Sequence, residues 1–179
     1  MENLILIKTS AEYAEEICAY RRETLDLENF IHGSTELHNF ENPVEWIKYC
    51  RLYEKQNTIP IPGHVLSDQF MLVNENEYKL LGLINVRRYL DGNNYLIEYG
   101  GHIGYSIRPS ERRKGYAKKM LTLSLNKCRD IGLEKILITC NANNEASRRT
   151  ILALGGAFER TTYLESENTN MERFWIDLI

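Results

Sequence analysis

The sequence predicts a mixed α/β fold in which one sheet is covered on its faces by helices, and three observations carry that expectation. The segments order as strand, two helices, three strands, then helix, strand, helix and a closing strand pair, which a mixed sheet with helices on both sides accommodates. Residues His102 to Arg108 alternate, with Ile103, Tyr105 and Ile107 on one face and His102, Gly104 and Ser106 on the other. From Gly115 to Ile131 the residues Ala117, Met120, Leu121, Ser124, Leu125, Cys128 and Ile131 recur at helical spacing, and Gly132 supplies the stop.

The remaining elements follow in order. Leu4 to Lys8 is a short apolar run, and Ser10 then caps a helix whose apolar residues include Tyr13, Ile17 and Tyr20. Residues 28 to 41 show no clear periodicity. At Asn42-Pro43-Val44-Glu45 a second helix starts, with Asn42 as cap, Pro43 in the first turn and Glu45 at the reciprocal capping position, and it is expected to run to about Gln56. Ile59-Pro60-Ile61-Pro62-Gly63 breaks it, because each proline lacks a donor and restrains its predecessor. Gln69 to Val73 and Lys79 to Tyr89 read as a hairpin around the polar Asn74 to Glu77, and Leu90 to Asn94 is the next turn. Beyond the long helix, Ile136 to Cys140 is a strand, Asn144 to Leu154 a helix ended by Gly155-Gly156, and Ala157 to Tyr163 a strand. Glu165 to Asn170 turns the chain into a last strand, Arg173 to Leu178.

Bulk properties bound the function. At 179 residues, with no repeat, low-complexity tract or linker, one domain spanning 1–179 is the expectation, and 43% hydrophobic with 26% charged residues is globular composition. A formal charge of -3 gives no general polyanion signal, so nucleic acid is not an expected partner. Cys18, Cys50, Cys128 and Cys140 form no CxxC pair and no histidine stands at ligand spacing, so no metal is expected and the thiols read as free. No leader and no membrane-length run is found, which makes the reducing cytoplasm the expected location and a membrane no partner.

The strongest local signal is Ile107-Arg108-Pro109-Ser110-Glu111-Arg112-Arg113-Lys114-Gly115-Tyr116-Ala117. It sets a strand end, a short turn and a helix start in immediate succession, which aims unpaired backbone N–H groups at one point beside the positive end of a helix. Gly115 and Ala117 leave the main chain approachable by a bulky anion such as a pyrophosphate. Neither GxGxxG nor GxxxxGK[ST] occurs here, so the two commoner phosphate motifs do not explain the segment. Read blandly, Arg112, Arg113 and Lys114 are a solvated basic face or a weak RNA-binding patch.

Arg112-x-x-Gly115-x-Ala117 after Ile107-x-Pro109 resembles the acetyl-CoA signature of the GNAT superfamily of N-acyltransferases. The strand Ile136 to Cys140, followed by Asn144-x-x-Ser147 and a helix ending at Gly155-Gly156, resembles the second element of that superfamily. Gly100-Gly101-His102-Ile103-Gly104-Tyr105-Ser106-Ile107-Arg108-Pro109 further resembles a bacterial subgroup of predicted acetyltransferases. The resemblance implies the GNAT fold: a mixed, mostly antiparallel, splayed sheet of about seven strands flanked by about four helices. It implies a cofactor-binding core at residues 69–158, with the substrate read by residues 10–67 and 159–179. It implies acetyl-CoA as cosubstrate, with its pantetheine arm on the strand at Ile107 and its pyrophosphate on Arg112, Arg113, Lys114, Gly115, Tyr116 and Ala117. Asn144, with Ser147 in the same motif, would contact the arm beyond the phosphates. Asn144 also reads as a simple helix cap.

Acyl transfer to an amine needs a neutral nucleophile, oxyanion stabilisation and a proton for the leaving thiolate. An alkylammonium ionises at about 10, so a general base or a desolvating cleft must help. His102 and Glu98 are the candidate bases; a core histidine beside a glycine bulge is the bland alternative for the first. In many members of the family a tyrosine seven residues after the asparagine protonates the thiolate, and here that position holds Ile151. The role then falls to Tyr105, to Tyr116 or to solvent. The expected acceptor is a primary amine of a small molecule, peptide or protein. A non-catalytic acyl-CoA sensor and a nucleic-acid-associated module are the rival readings, and pairing of two copies stays open.

Overall fold

Strands β1 (Leu4–Lys8), β2 (Ser67–Asn74), β3 (Lys79–Arg87), β4 (Ile103–Ile107), β5 (Lys135–Asn141), β6 (Ala157–Leu164) and β7 (Thr169–Asp177) form one seven-stranded sheet in a computed structural model that describes residues 2–179. Their spatial order is β1-β2-β3-β4-β5-β7-β6, and every neighbouring pair is antiparallel except β4 and β5. This is the expected mixed, mostly antiparallel sheet. Helices α1 (Ala14–Leu25), α2 (Pro43–Leu52), α3 (Tyr116–Asp130) and α4 (Glu145–Leu152) cover it. None of the described helices is long and apolar enough to cross a membrane.

The strand pattern explains the layering. β2 is buried along its whole length, because its apolar run Phe70-Met71-Leu72-Val73 is covered on both faces. Met71 and Val73 join Ile17 and Tyr20 of α1 and Trp46, Ile47 and Cys50 of α2 in one core. Phe70 and Leu72 join Met120, Leu121, Leu125 and Cys128 of α3 in the other, with Ile136, Ile138 and Phe174. Each fully buried aliphatic side chain contributes roughly 1.5–3 kcal/mol, so these two layers dominate the favourable side of folding. The indole N–H of the fully buried Trp46 donates to the Ser34 carbonyl at 2.7 Å, so the loop before α2 is fastened to its core.

Three expectations are corrected. α2 ends at Leu52, short of Gln56, because the Thr58 hydroxyl takes the Leu52 carbonyl at 2.7 Å and the Tyr53 carbonyl accepts from Ser67 N at 3.0 Å. Asn42 does cap it, accepting from Val44 N at 2.9 Å, but Glu45 pairs with Lys48 rather than closing a reciprocal box. The last strand begins at Thr169, where polar residues pair with β6 in a long hairpin that hydrophobic pattern alone does not reveal. Residues Leu96–Gly100, for which the sequence gives no element, form a π-helical turn held by Asn93, whose side chain accepts from Leu96 N at 2.9 Å.

Two glycines set how closely the chain approaches the sheet at its centre. Gly101 sits at φ +64, and a Cβ there would lie 2.5 Å from the Leu137 carbonyl oxygen. Gly33, also at φ +64, would place a Cβ 2.2 Å from the Gly104 carbonyl oxygen. Gly63, at φ +82 with open space around it, makes the control. Gly101→Ala is expected to cost about 2–4 kcal/mol, combining left-handed strain and a backbone clash, whereas Gly63→Ala should cost about 1–2 kcal/mol from strain alone. Urea unfolding of the two variants measures the difference.

Candidate functional site

The site begins where β4 and β5 part. They share a single register pair, Ile103 with Ile138, and the junction is tied by His102. Its backbone N–H donates to the Leu137 carbonyl at 2.8 Å, and its ring Nδ1 accepts from Leu137 N at 2.9 Å. Two parallel strands joined at one point diverge along their length, which opens a wedge toward their C-terminal ends. Across that wedge the Tyr105 hydroxyl meets the Ser147 hydroxyl at 2.7 Å, at the start of α4. Burial pushes the phenol up to about 12, so it stays protonated at neutral pH.

At the wide end lies the turn from β4 to α3. Pro109–Glu111 forms a 3-10 turn, Arg113 takes φ 65 and Gly115 φ 85, and the first bond inside α3 runs from Lys119 N to the Gly115 carbonyl at 3.1 Å. The amides of Tyr116, Ala117 and Lys118 therefore have no acceptor within the helix. Left-handed residues at 113 and 115, just ahead of a helix start, turn N–H groups toward one concavity, an anion nest. A Cβ at Gly115 would meet nothing within 4 Å, so this concavity is open.

The basic side chains of the turn are mostly engaged elsewhere. Arg112 Nε donates to the Ile107 carbonyl at 3.0 Å and its Nη2 pairs with Glu28 at 2.6 Å. Lys114 pairs with Glu111 at 2.7 Å, a carboxylate that Lys79 also holds and whose pKa the two ammonium groups keep down against its burial. Tyr116 donates its hydroxyl to Glu2 at 2.6 Å. What the turn presents is thus chiefly main chain.

At the narrow end of the wedge a cavity of about 630 Å³ opens between the loop of residues 30–36, the ends of β3 and β4, the π turn and the β6–β7 hairpin. Tyr105, Asn144 and Ser147 line it, so the structure brings these three expected residues together. The Asn144 side chain accepts from Ser147 N at 3.1 Å, the capping role. His102 and Glu98 do not line it. His102 is 7% exposed and fixed on Leu137, and Glu98 pairs with Arg160 at 2.7 Å. Ile151, where the family's tyrosine would stand, is fully buried in the core. Pattern reading passed over Arg87, Glu36, Tyr53 and His64, which also line the cavity. Glu36 accepts from the Tyr49 hydroxyl at 3.1 Å, which meets Tyr53 at 3.2 Å, which meets His64 Nδ1 at 2.9 Å. Arginine at the end of the apolar run Leu80 to Val86 was the one signal in the sequence that could have marked Arg87.

A splayed mixed sheet with an amide nest at the wide end of the wedge suits an acyltransferase. The chain belongs to the GNAT acetyltransferases: the family model described as acetyltransferase (GNAT) domain matches residues 3–157. It is similar in fold to the ribosomal-protein-S5-alanine acetyltransferase from Vibrio fischeri, at 18% identity over 99% of this chain and 94% of that one, with a TM-score of 0.72. It is likewise similar to the microcin C7 self immunity acetyltransferase MccE in complex with acetyl-CoA and AMP, at 16% identity over 99% and 93% with a TM-score of 0.70. The spermidine/spermine N-acetyltransferase SpeG from Vibrio cholerae, in mutant form, matches at 16% identity over 98% and 95% with a TM-score of 0.61. A comparison with curated proteins finds no match.

The state of His102 gives a pH signature. Burial, reinforced by the Arg87 charge, pushes the imidazole down from 6.5 to about 4. The unfolded chain therefore takes up a proton near 6.5 that the folded protein refuses until about 4, so the stability tied to this group is full above 6.5 and lost as pH falls toward 4. His102→Asn, whose amide oxygen can still accept from Leu137 N, is expected to show a smaller drop in melting temperature between pH 6.5 and pH 4 than the unaltered protein. Equal drops in the two proteins would remove His102 from the acid response.

Proposed function

We propose that this acetyltransferase moves the acetyl group of acetyl-CoA to a primary amine of a small molecule, peptide or protein by direct attack. The supporting observation is the wedge itself, with open amides from Arg113 to Ala117 at its wide end and a cavity that fits a small acceptor at its narrow end. In this reading the turn from Arg112 to Ala117 receives the pyrophosphate and the main chain of β4 at Ile107 the pantetheine arm. Asn144 and Ser147 border the arm's far end. The acceptor wall draws on residues 10–67 and 159–179, since Ile31, Tyr53, Leu164 and Met171 line the cavity.

The neutral amine attacks the thioester carbonyl, a C–N bond forms, the C–S bond breaks, and the thiolate takes a proton. Tyr105 is the donor the geometry favours, because its hydroxyl lies in the wedge, whereas that of Tyr116 is held by Glu2. The acceptor's ammonium first gives its proton to the cavity wall, where Glu36 offers a carboxylate steadied by Tyr49, and the amine so freed is the nucleophile. His102 and Glu98 support this site from behind, His102 by fixing the β4–β5 junction and Glu98 from the π turn. The names of the similar proteins, which act on a ribosomal-protein alanine or on spermidine, support an amine acceptor. Four unpaired cysteines accord with a cytoplasmic location.

Coenzyme A at about 100 times its Kd should stabilise the protein by about 2.7 kcal/mol, seen as a rise in melting temperature. Gly115→Glu should fold and lose that response, because a carboxylate would occupy the open space where the phosphates belong. An unchanged melting temperature with coenzyme A would overturn the reading, and a normal response in the variant would move the phosphate site. Tyr105→Phe should lower kcat by about 100-fold, the lower end of a general acid's contribution, with KM for acetyl-CoA little altered. Thiol release under saturating acceptor measures both constants.

A further inference from the structure

Arg87 ends β3 in the wall of the cavity, and it is the only lysine or arginine among the described residues that line it. Its Nη1 donates to the carbonyls of Gly100 and Gly101 at 3.2 and 3.0 Å, which hold the guanidinium in place against the π turn. Nothing among the described residues takes a hydrogen bond from its Nε or Nη2. Three other arginines packed into the fold have carboxylates, Arg88 with Asp68, Arg108 with Glu16 and Glu23, and Arg173 with Glu159, while Arg21, half-buried like Arg87, is held by the Leu37 and His38 carbonyls. Arg87 has none among the described residues, although it is half-buried.

Gly104 keeps this guanidinium edge open. A Cβ at residue 104 would stand 3.6 Å from Arg87 Nη2 and 3.4 Å from the Gly33 Cα. The free edge therefore borders the strand that leads directly to Tyr105, beside the place where the acyl group would lie. A partly desolvated cation without a counter-ion is costly, and a bound anion offsets that cost. Burial lowers the guanidinium only to about 10, so it keeps its charge at neutral pH.

We propose that Arg87 binds a carboxylate of the acceptor, which makes the acceptor an amine that carries a carboxylate, in the manner of a free amino acid. The inference rests on the acetyl-transfer reading above and names its substrate class. The Nε and Nη2 groups form the planar fork that a carboxylate meets with two parallel hydrogen bonds. A single cation balances a monoanion, whereas a phosphate ester would bring nearly two charges to a wall that also holds Glu36 and Glu167. Those two carboxylates suit the ammonium end of the same molecule.

The test compares the protein α-amino acids with their matching carboxamides, and with phosphoethanolamine, using acetyl-CoA and thiol release. The acids are expected to exceed their amides in kcat/KM by about 100-fold, the usual weight of a desolvated charge pair. In Arg87→Gln that ratio should collapse toward one through KM, and Arg87→Lys, which keeps charge but loses the fork, should fall between. Stabilisation by coenzyme A in each variant shows that fold and cofactor site survive. Parity of acids and amides in the unaltered protein, a preference for phosphoethanolamine, or an equal loss of kcat for acid and amide in Arg87→Gln overturns the proposal. So does acetylation of neither pool by a protein that binds coenzyme A, an outcome that leaves the acetyl-transfer reading standing.

Discussion

The structure depends on one short junction, the meeting of β4 and β5 at Ile103 and Ile138. Everything functional is arranged around the fact that these strands are joined once and then separate. Gly101 lets the chain come close enough to Leu137 for the junction to form, and His102 supplies both a backbone donor and a ring acceptor to the same residue. Had the two strands paired along their length, main-chain groups of β4 would be consumed by the ladder, and no wedge would separate Tyr105 from the start of α4. A neutral imidazole is what the junction needs, since Nδ1 must accept, and burial enforces that state.

The basic triplet Arg112-Arg113-Lys114 has a physical content different from the one its composition suggests. Its composition suggests cationic side chains reaching for an anion, yet Glu28 and Glu111 already neutralise Arg112 and Lys114. The positive character of the turn comes from oriented amides and the first turn of α3. Charge on the side chains serves instead to fasten the turn to the loop after α1 and to the 3-10 turn that precedes it.

Much of the fold was legible because it is written in local rules. Asn42 and Asn144 cap helices as their positions imply, and the periodicity of α3 appears as the buried set Met120, Leu121, Ser124, Leu125 and Cys128. The anion nest was legible because strand, turn and helix follow one another in the chain. The cavity was not, since Glu36, Tyr53, Arg87 and Leu164 come from four distant segments and no spacing relates them. His102 and Glu98 looked like site residues through their nearness in sequence to β4. Strand alternation turns one toward Leu137, and the unforeseen π turn carries the other to Arg160.

The contact of Gly33 with Gly104 has a consequence for how substrates come and go. The loop of residues 30–36 is bound to the sheet at several points: Gly33 against the Gly104 backbone, the His32 carbonyl to Ser106, the Gly33 carbonyl to Gln69, and the Ser34 carbonyl to Trp46. Such a loop is a rigid wall and cannot act as a moving lid. Selectivity on that side is consequently preformed, a fixed mould rather than a clasp. Glu167, in the exposed turn of the β6–β7 hairpin, forms another part of the rim.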